Sequence, residues 1–127
     1  MTDPLAIAEA LSAAITSCDV AAVERLYTDD TVVWHSYDRV EQGRVETLAF
    51  LSAFFEKAAE VRYTDVRRVR TEDGYVQQHV IHTTLKTGEA FEPRPVCIVA
   101  RLRDDKIVRI DEYLEARRPA AVQEGTR

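Results

Sequence analysis

The stretch GYVQQHVIHTTLKTGEAFEPRPVCIVARLRDDKIVRIDEYL, residues 74–114, decides the fold class. Its runs YVQQHVIHTTL, FEPRPVCIVARL and IVRIDEYL are β-branched, alternate in period two, and are separated by the turn-forming segments KTGE and RDDK. Period two is the signature of half-buried strands, and turns this short join antiparallel neighbours. A fourth run, VRYTDVRRVR at 61–70, precedes them across TEDG. Its arginines alternate with valine, so the basic cluster DVRRVR reads as the wet face of a strand and not as a patch for an anionic partner.

Outward from this block the texture is helical. RVETLAFLSAFFEKAAE, from residue 44, predicts the longest helix. Val45, Leu48, Leu51, Phe54, Phe55 and Ala58 form a wide apolar stripe on it, which other elements must cover. Before it, TVVWHSYD at 31–38 predicts one strand, followed by a polar loop that closes at Gly43. At the start, Asp3 is placed to cap a helix with Pro4 in its first position, and Leu5, Ala8, Leu11, Ile15 and Cys18 recur at helical spacing. Asp19 caps a second, short helix, VAAVERLY. The order helix, helix, strand, helix, four strands predicts an α+β domain with a curved, mainly antiparallel sheet wrapped around the long helix. Such a wrap leaves a closed-ended cavity, the usual form of a small-ligand site. Residues 1–116 read as one domain, and the polar, proline-interrupted residues 117–127 as a flexible tail.

Composition narrows the function classes. The chain has 127 residues, 46% hydrophobic and 31% charged, which suits one globular domain and not a disordered segment. A net charge of -5 argues against nucleic acid or an anionic membrane as partner. No run approaches a membrane span in length, and a cytoplasmic location is expected. Cys18 and Cys97 lie far apart without metal-ligand spacing and read as small hydrophobes. With three histidines and no Cys-x-x-Cys, no structural metal is expected. There is no glycine-rich loop or nucleophile elbow, so no cofactor is expected either.

CDVAAVERLYTDDTVVWHSYD, QGRVETLAFLSAFF and DDKIVRIDEYLE, taken in this order, resemble the nuclear transport factor two-like superfamily. The nearest branch is the SnoaL-like polyketide cyclase group, beside ketosteroid isomerases and limonene-epoxide hydrolases, and the likeness covers residues 5–116. The resemblance implies a cone-shaped, cystatin-like fold with a deep, mostly apolar pocket, often dimeric through the outer sheet face. Carried over position by position, it puts the ketosteroid isomerase base at His35. The oxyanion-binding tyrosine falls on Leu11 and the protonated acid on Ile98, so the usual steroid isomerase is excluded. The water-activating acid of the epoxide hydrolases falls on Glu112, while their arginine–aspartate pair falls near Gln78 and Val80. The histidine of scytalone dehydratase-like proteins falls on His82, and their helix-borne aspartate near Thr16.

The residues carry their own argument beside the resemblance. In TVVWHSYD, strand parity puts Val33, His35 and Tyr37 on one face. An imidazole on an inward face can exchange a proton near neutral pH, or it can simply bond a backbone carbonyl. Glu112 alternates with Ile110 and Leu114. An acid on such a face is held protonated unless a cation pairs with it, and a Glu–His pair across a cavity separates acid and base roles. The alternative for Glu112 is an edge salt bridge with an arginine. His82 shares a face with Gln78, Val80 and Thr84, either as an inward polar cluster or as a solvated face. Trp34, Phe50 and Phe91 could line a cavity or fill the core. The expected catalytic residues are His35, Glu112 and His82, and the expected ligand-contacting residues are Tyr37, Tyr63, Gln78, Val80, Ile98 and Ile110.

The function expected is that of a cofactor-independent enzyme acting by proton transfer on a small hydrophobic molecule of polyketide, terpenoid or steroid type. Cyclisation, isomerisation, dehydration and water addition all fit. The competing readings are a non-catalytic small-ligand binder and a dimeric assembly module. A homodimer is expected through the convex sheet face, because Gln77, His79, Ile81 and Thr83 look too apolar for a fully wet surface.

Overall fold

The computed structural model describes residues 2–120. Its elements are α1 (Pro4–Thr16), α2 (Val20–Leu26), β1 (Tyr27–His35), β2 (Val40–Gly43), α3 (Arg44–Lys57), β3 (Ala58–Arg70), β4 (Gly74–Leu85), β5 (Arg94–Arg103) and β6 (Lys106–Tyr113). The domain is α+β, three helices and one curved six-stranded sheet of order β2-β1-β6-β5-β4-β3. Every neighbouring pair is antiparallel except β1 and β6, which run parallel. Helix α1 packs on β3 and β4, and α3 packs on β1 and β2, so the helices cover the concave face. The main core lies between them, from Ile7, Leu11 and Val23 to Tyr75, Ile98, Ile107 and Ile110.

Local chemistry sets the helix starts. The Asp3 carboxylate accepts from the Leu5 amide at 3.0 Å and is gripped by Arg70 at 2.9 and 2.7 Å, tying the first turn of α1 to the end of β3. Asp19 caps α2 by accepting from the Ala22 amide at 3.1 Å. At α3, Glu46 reaches back to accept from the Gly43 amide at 2.9 Å. Helix α3 stops at Lys57 and the chain turns directly into β3. Val45 lies outside the buried stripe, at 79% exposure, while Thr47 on the next turn face is buried.

The sheet departs from the sequence expectation in three places. The expected polar loop before Gly43 is strand β2, held by pairing with β1 from Val32–Gly43 to His35–Val40. Strand β4 turns the other way: Tyr75, Gln77, His79 and Thr83 are buried inside, so Gln78, Val80, His82 and Thr84 face out. Both faces of β4 are equally mixed, so its own period cannot orient it. Register with β5 does, because Tyr75, Gln77 and His79 lie opposite the buried Ala100, Ile98 and Val96. The residues that motivated a dimer face are therefore interior ones.

Strand β3 carries the third departure. Its pairing with β4 shifts between Thr64 and Arg67, and Asp65 sits there in the left-handed region at φ 55°. The bulge reverses parity, so Tyr63 and Arg68 both sit opposite inward residues of β4, and Val69 is left 64% exposed. The DVRRVR face is thus not simply the arginine face.

Part of the expected flexible tail is docked. The Glu92 amide donates to the Arg118 carbonyl at 2.7 Å, Phe91 bridges to Pro119, and the Ala120 amide donates to the Ala90 carbonyl at 2.9 Å. The rest of that tail, 121–127, lies outside the described residues.

Candidate active site

Two hydroxyls fix the site by clamping β1 against β6. Thr31 Oγ1 donates to the Ile107 carbonyl at 2.7 Å. At the other end Ser36 Oγ donates to the Leu114 carbonyl at 3.0 Å and accepts from the Leu114 amide at 2.9 Å. Between these clamps the parallel register sets His35 directly beside Glu112. The imidazole Nε2 lies 3.1 Å from Glu112 Oε1. Both side chains line a cavity of about 270 Å³ between sheet and helices. Of the pair Glu112 is the more open, its side chain 21% exposed against 9% for His35. The ring's other nitrogen, Nδ1, is buried without a hydrogen-bond partner among the described residues.

The walls are mostly apolar. Helix α1 contributes Ile15, α3 contributes Phe50, Leu51 and Phe54, β4 contributes Ile81, and Leu114 enters just past β6. Tyr63 from β3 and Tyr37, just past β1, also line it. Burial raises the pKa of both phenols, most strongly that of Tyr63, so each keeps its proton and can donate. A smaller inner lobe of about 50 Å³ continues from the same residues toward Ile98, Ile110 and Leu11. Leu11 and Ile98, the positions on which the resemblance put an isomerase's oxyanion donors, are apolar lining there.

Of the residues expected at the site, the structure brings together His35, Glu112, Tyr37, Tyr63, Ile98 and Ile110. It does not bring His82, Gln78 or Val80. His82 lies on the outer face, its Nε2 2.8 Å from Thr64 Oγ1. Gln78 and Val80 line a shallow outer depression with Asp65 and Arg67. The cause is the parity of β4 described above.

The residues that sequence reasoning missed are Arg94 and Arg117, which line the cavity beside Glu112. Arg94 was legible in principle, since it alternates with Val96 and Ile98 on the inward face of β5. Arg117 carried no such signal, because it follows the last strand in the segment read as tail.

Behind Tyr63 lies a buried polar network. Gln77 Oε1 accepts from Arg68 Nε at 2.8 Å, and Gln77 Nε2 donates to Ser12 Oγ at 3.1 Å and to His79 Nδ1 at 2.9 Å. That last bond leaves the His79 proton on Nε2, which is buried without a partner among the described residues. The ring stacks on Tyr63 with centroids 3.7 Å apart. Burial pushes its pKa down to about 4, so it is neutral at physiological pH.

A family profile for the SnoaL-like domain matches residues 8–110. The chain belongs to the SnoaL-like family. Solved structures share the fold of this SnoaL-like domain. A proposed polyketide cyclase from Pseudomonas putida superposes with a TM-score of 0.77 at 18% identity, over 89% of this chain and 92% of that one. A proposed SnoaL-like polyketide cyclase from Shewanella denitrificans does so at 0.78 and 15%, over 88% and 90% of the two chains. IdmH, a proposed polyketide cyclase from Streptomyces antibioticus, gives 0.75 and 19% over 89% and 92%. At such identities the likeness is one of fold, and the chemistry of this SnoaL-like protein must be argued from its own site. No curated protein matches the sequence. Among the described residues no helix is long and apolar enough to cross a membrane.

Proposed function

We propose that the protein is a cofactor-independent enzyme that moves a proton on a small hydrophobic substrate, in a cyclisation, isomerisation, dehydration or hydration. The observation that carries this reading is the His35 Nε2–Glu112 Oε1 contact of 3.1 Å, inside a cavity with mostly apolar walls. The pair offers two placements of one proton. With Nε2–H donating to an ionised Glu112, the carboxylate is a base. With the proton on Glu112 and Nε2 accepting, the same carboxyl is an acid. Glu112, the more open of the two, meets the substrate, and His35 holds its carboxylate in place and exchanges the proton with it. Tyr63, kept protonated by burial, is the donor for oxygen charge that develops as a C–H proton leaves. A homodimer through the outer sheet face belongs to the same reading.

The test is deuterium exchange into the acidic C–H positions of a panel of aromatic ketones and β-keto esters, followed by NMR in D₂O. His35→Ala and Glu112→Gln should each slow exchange by about 10²–10⁴-fold. Ligand binding without exchange, or exchange indifferent to both substitutions, refutes the enzyme reading and leaves a small-molecule binder.

A further inference from the structure

The mouth of the cavity holds more positive charge than the His35–Glu112 pair can use. Arg94 enters from β5 with only 7% of its surface exposed. Its Nη1 donates to the Glu115 carbonyl at 2.7 Å, while its Nε is buried with no partner among the described residues. Arg117 comes back over α3. Its guanidinium carbon lies 4.3 Å from the centre of the Phe54 ring, with Phe50 at 5.4 Å and Phe91 at 5.6 Å. Aromatic rings hold the face of a guanidinium plane and leave its N–H edge for planar oxyanions.

Among the described residues, neither arginine has a carboxylate within ion-pair distance. Glu112, the carboxylate that lines the same cavity, is engaged by His35. Desolvation lowers the pKa of both guanidinium groups and the charge of Arg117 lowers that of Arg94 further, against a smaller opposing pull from Glu112 on each. Arg94 is buried and Arg117, more exposed, lies close enough to repel it, while Glu112, the carboxylate that offsets both, is shared with His35, so an incoming anion adds a favourable partner.

We propose that the cavity takes an apolar, ring-containing molecule bearing a carboxylate, which Arg117 and Arg94 hold at the mouth while the apolar body reaches the His35–Glu112 pair. The inference names the substrate class for the proton-transfer site and rests on that reading for what happens at the inner end. A forked guanidinium matches the two oxygens of a carboxylate, so the anchored end sets the orientation of the body. A neutral ester of the same shape keeps the apolar contacts and loses only the charge-assisted bonds.

Isothermal titration calorimetry with 2-naphthoate and methyl 2-naphthoate separates these contributions. The wild-type protein should bind the acid at least about tenfold more tightly than the ester, and the preference should shrink with added salt. Arg117→Gln should abolish most of that preference while leaving ester affinity within about twofold. Arg94→Lys, which keeps the charge and loses the fork, should weaken the acid selectively, with a thermal melt as the check on folding. Equal affinity for acid and ester, unchanged acid affinity in Arg117→Gln, or no saturable binding of the acid would each overturn the proposal. Arginine-dependent binding of the acid in a protein that exchanges no C–H proton would sink the proton-transfer reading and leave this one standing.

Discussion

At the scale of single residues, the buried groups that titrate are the ones that distinguish this interior. His79 is 3% exposed, and folding holds its imidazole neutral down to about pH 4, against 6.5 for a free histidine. Between those values the unfolded chain binds the additional proton, so stability falls as the pH drops through that window. The loss approaches about 3 kcal/mol once the pH is below the folded value, against roughly 0.5 kcal/mol or less for an ordinary surface substitution. Urea denaturation at a series of pH values should show this slope, and His79→Gln should flatten it. A wild-type slope no steeper than that of the variant would contradict the buried, neutral imidazole. His35 was legible as an inward residue because Val33 and Tyr37 flank it in period two. Its contact with Glu112 was not, since that depends on which strand lies beside β1.

At the scale of elements, turns and close approaches dominate. The β5–β6 turn is the two residues Asp104 and Asp105, both left-handed at φ 54° and 64°, between the pair Arg103 and Lys106. A two-residue turn of that hand matches the twist of the strands, and glycine occupies its second position with least strain. Asp105→Gly should raise stability by about 0.5–1 kcal/mol, read from the urea midpoint, although it forfeits an exposed bond from the Thr2 amide. Gly74 is the opposite case. A Cβ there would overlap the Ala100 carbonyl on the neighbouring strand, so Gly74→Ala should cost about 3 kcal/mol or more by forcing β4 and β5 apart. A stable alanine variant would show that the two strands part more easily than their packing implies. Helices α1, α2 and α3 were legible from their caps and spacing. Strand β2 was not, because VEQG has no strand pattern of its own and is ordered only by its pairing with β1.

At the scale of the whole molecule, the outer face of the sheet remains open. Val99 is 37% and Tyr113 is 49% exposed there, and Tyr113 meets Trp34 edge-on with ring centroids 5.2 Å apart. These residues, and not the interior set Gln77, His79, Ile81 and Thr83, are the ones a homodimer would cover. Sedimentation at micromolar concentration should give a dimer mass, and Val99→Asp should shift it to the monomer. A wild-type monomer at tens of micromolar would dismiss the dimer. The cavity is equally a whole-molecule property, since α1, α3, β3, β4, β5 and the segments after β1 and β6 each contribute to its walls.

The sequence by itself determined the element order apart from β2, the α+β class and the inward faces of β1 and β6. Each of those rests on local periodicity, caps and turns, which neighbouring residues encode. Only the tertiary structure decided the inward face of β4, the parity reversal in β3, the contact of His35 with Glu112 and the return of Arg117 over the cavity. Where both faces of a strand are equally mixed, as in YVQQHVIHTTL, the register of the neighbouring strand chooses between them. Arg117 is placed by three phenylalanines from α3 and the segment before β5, brought together only once the sheet has closed around the helix.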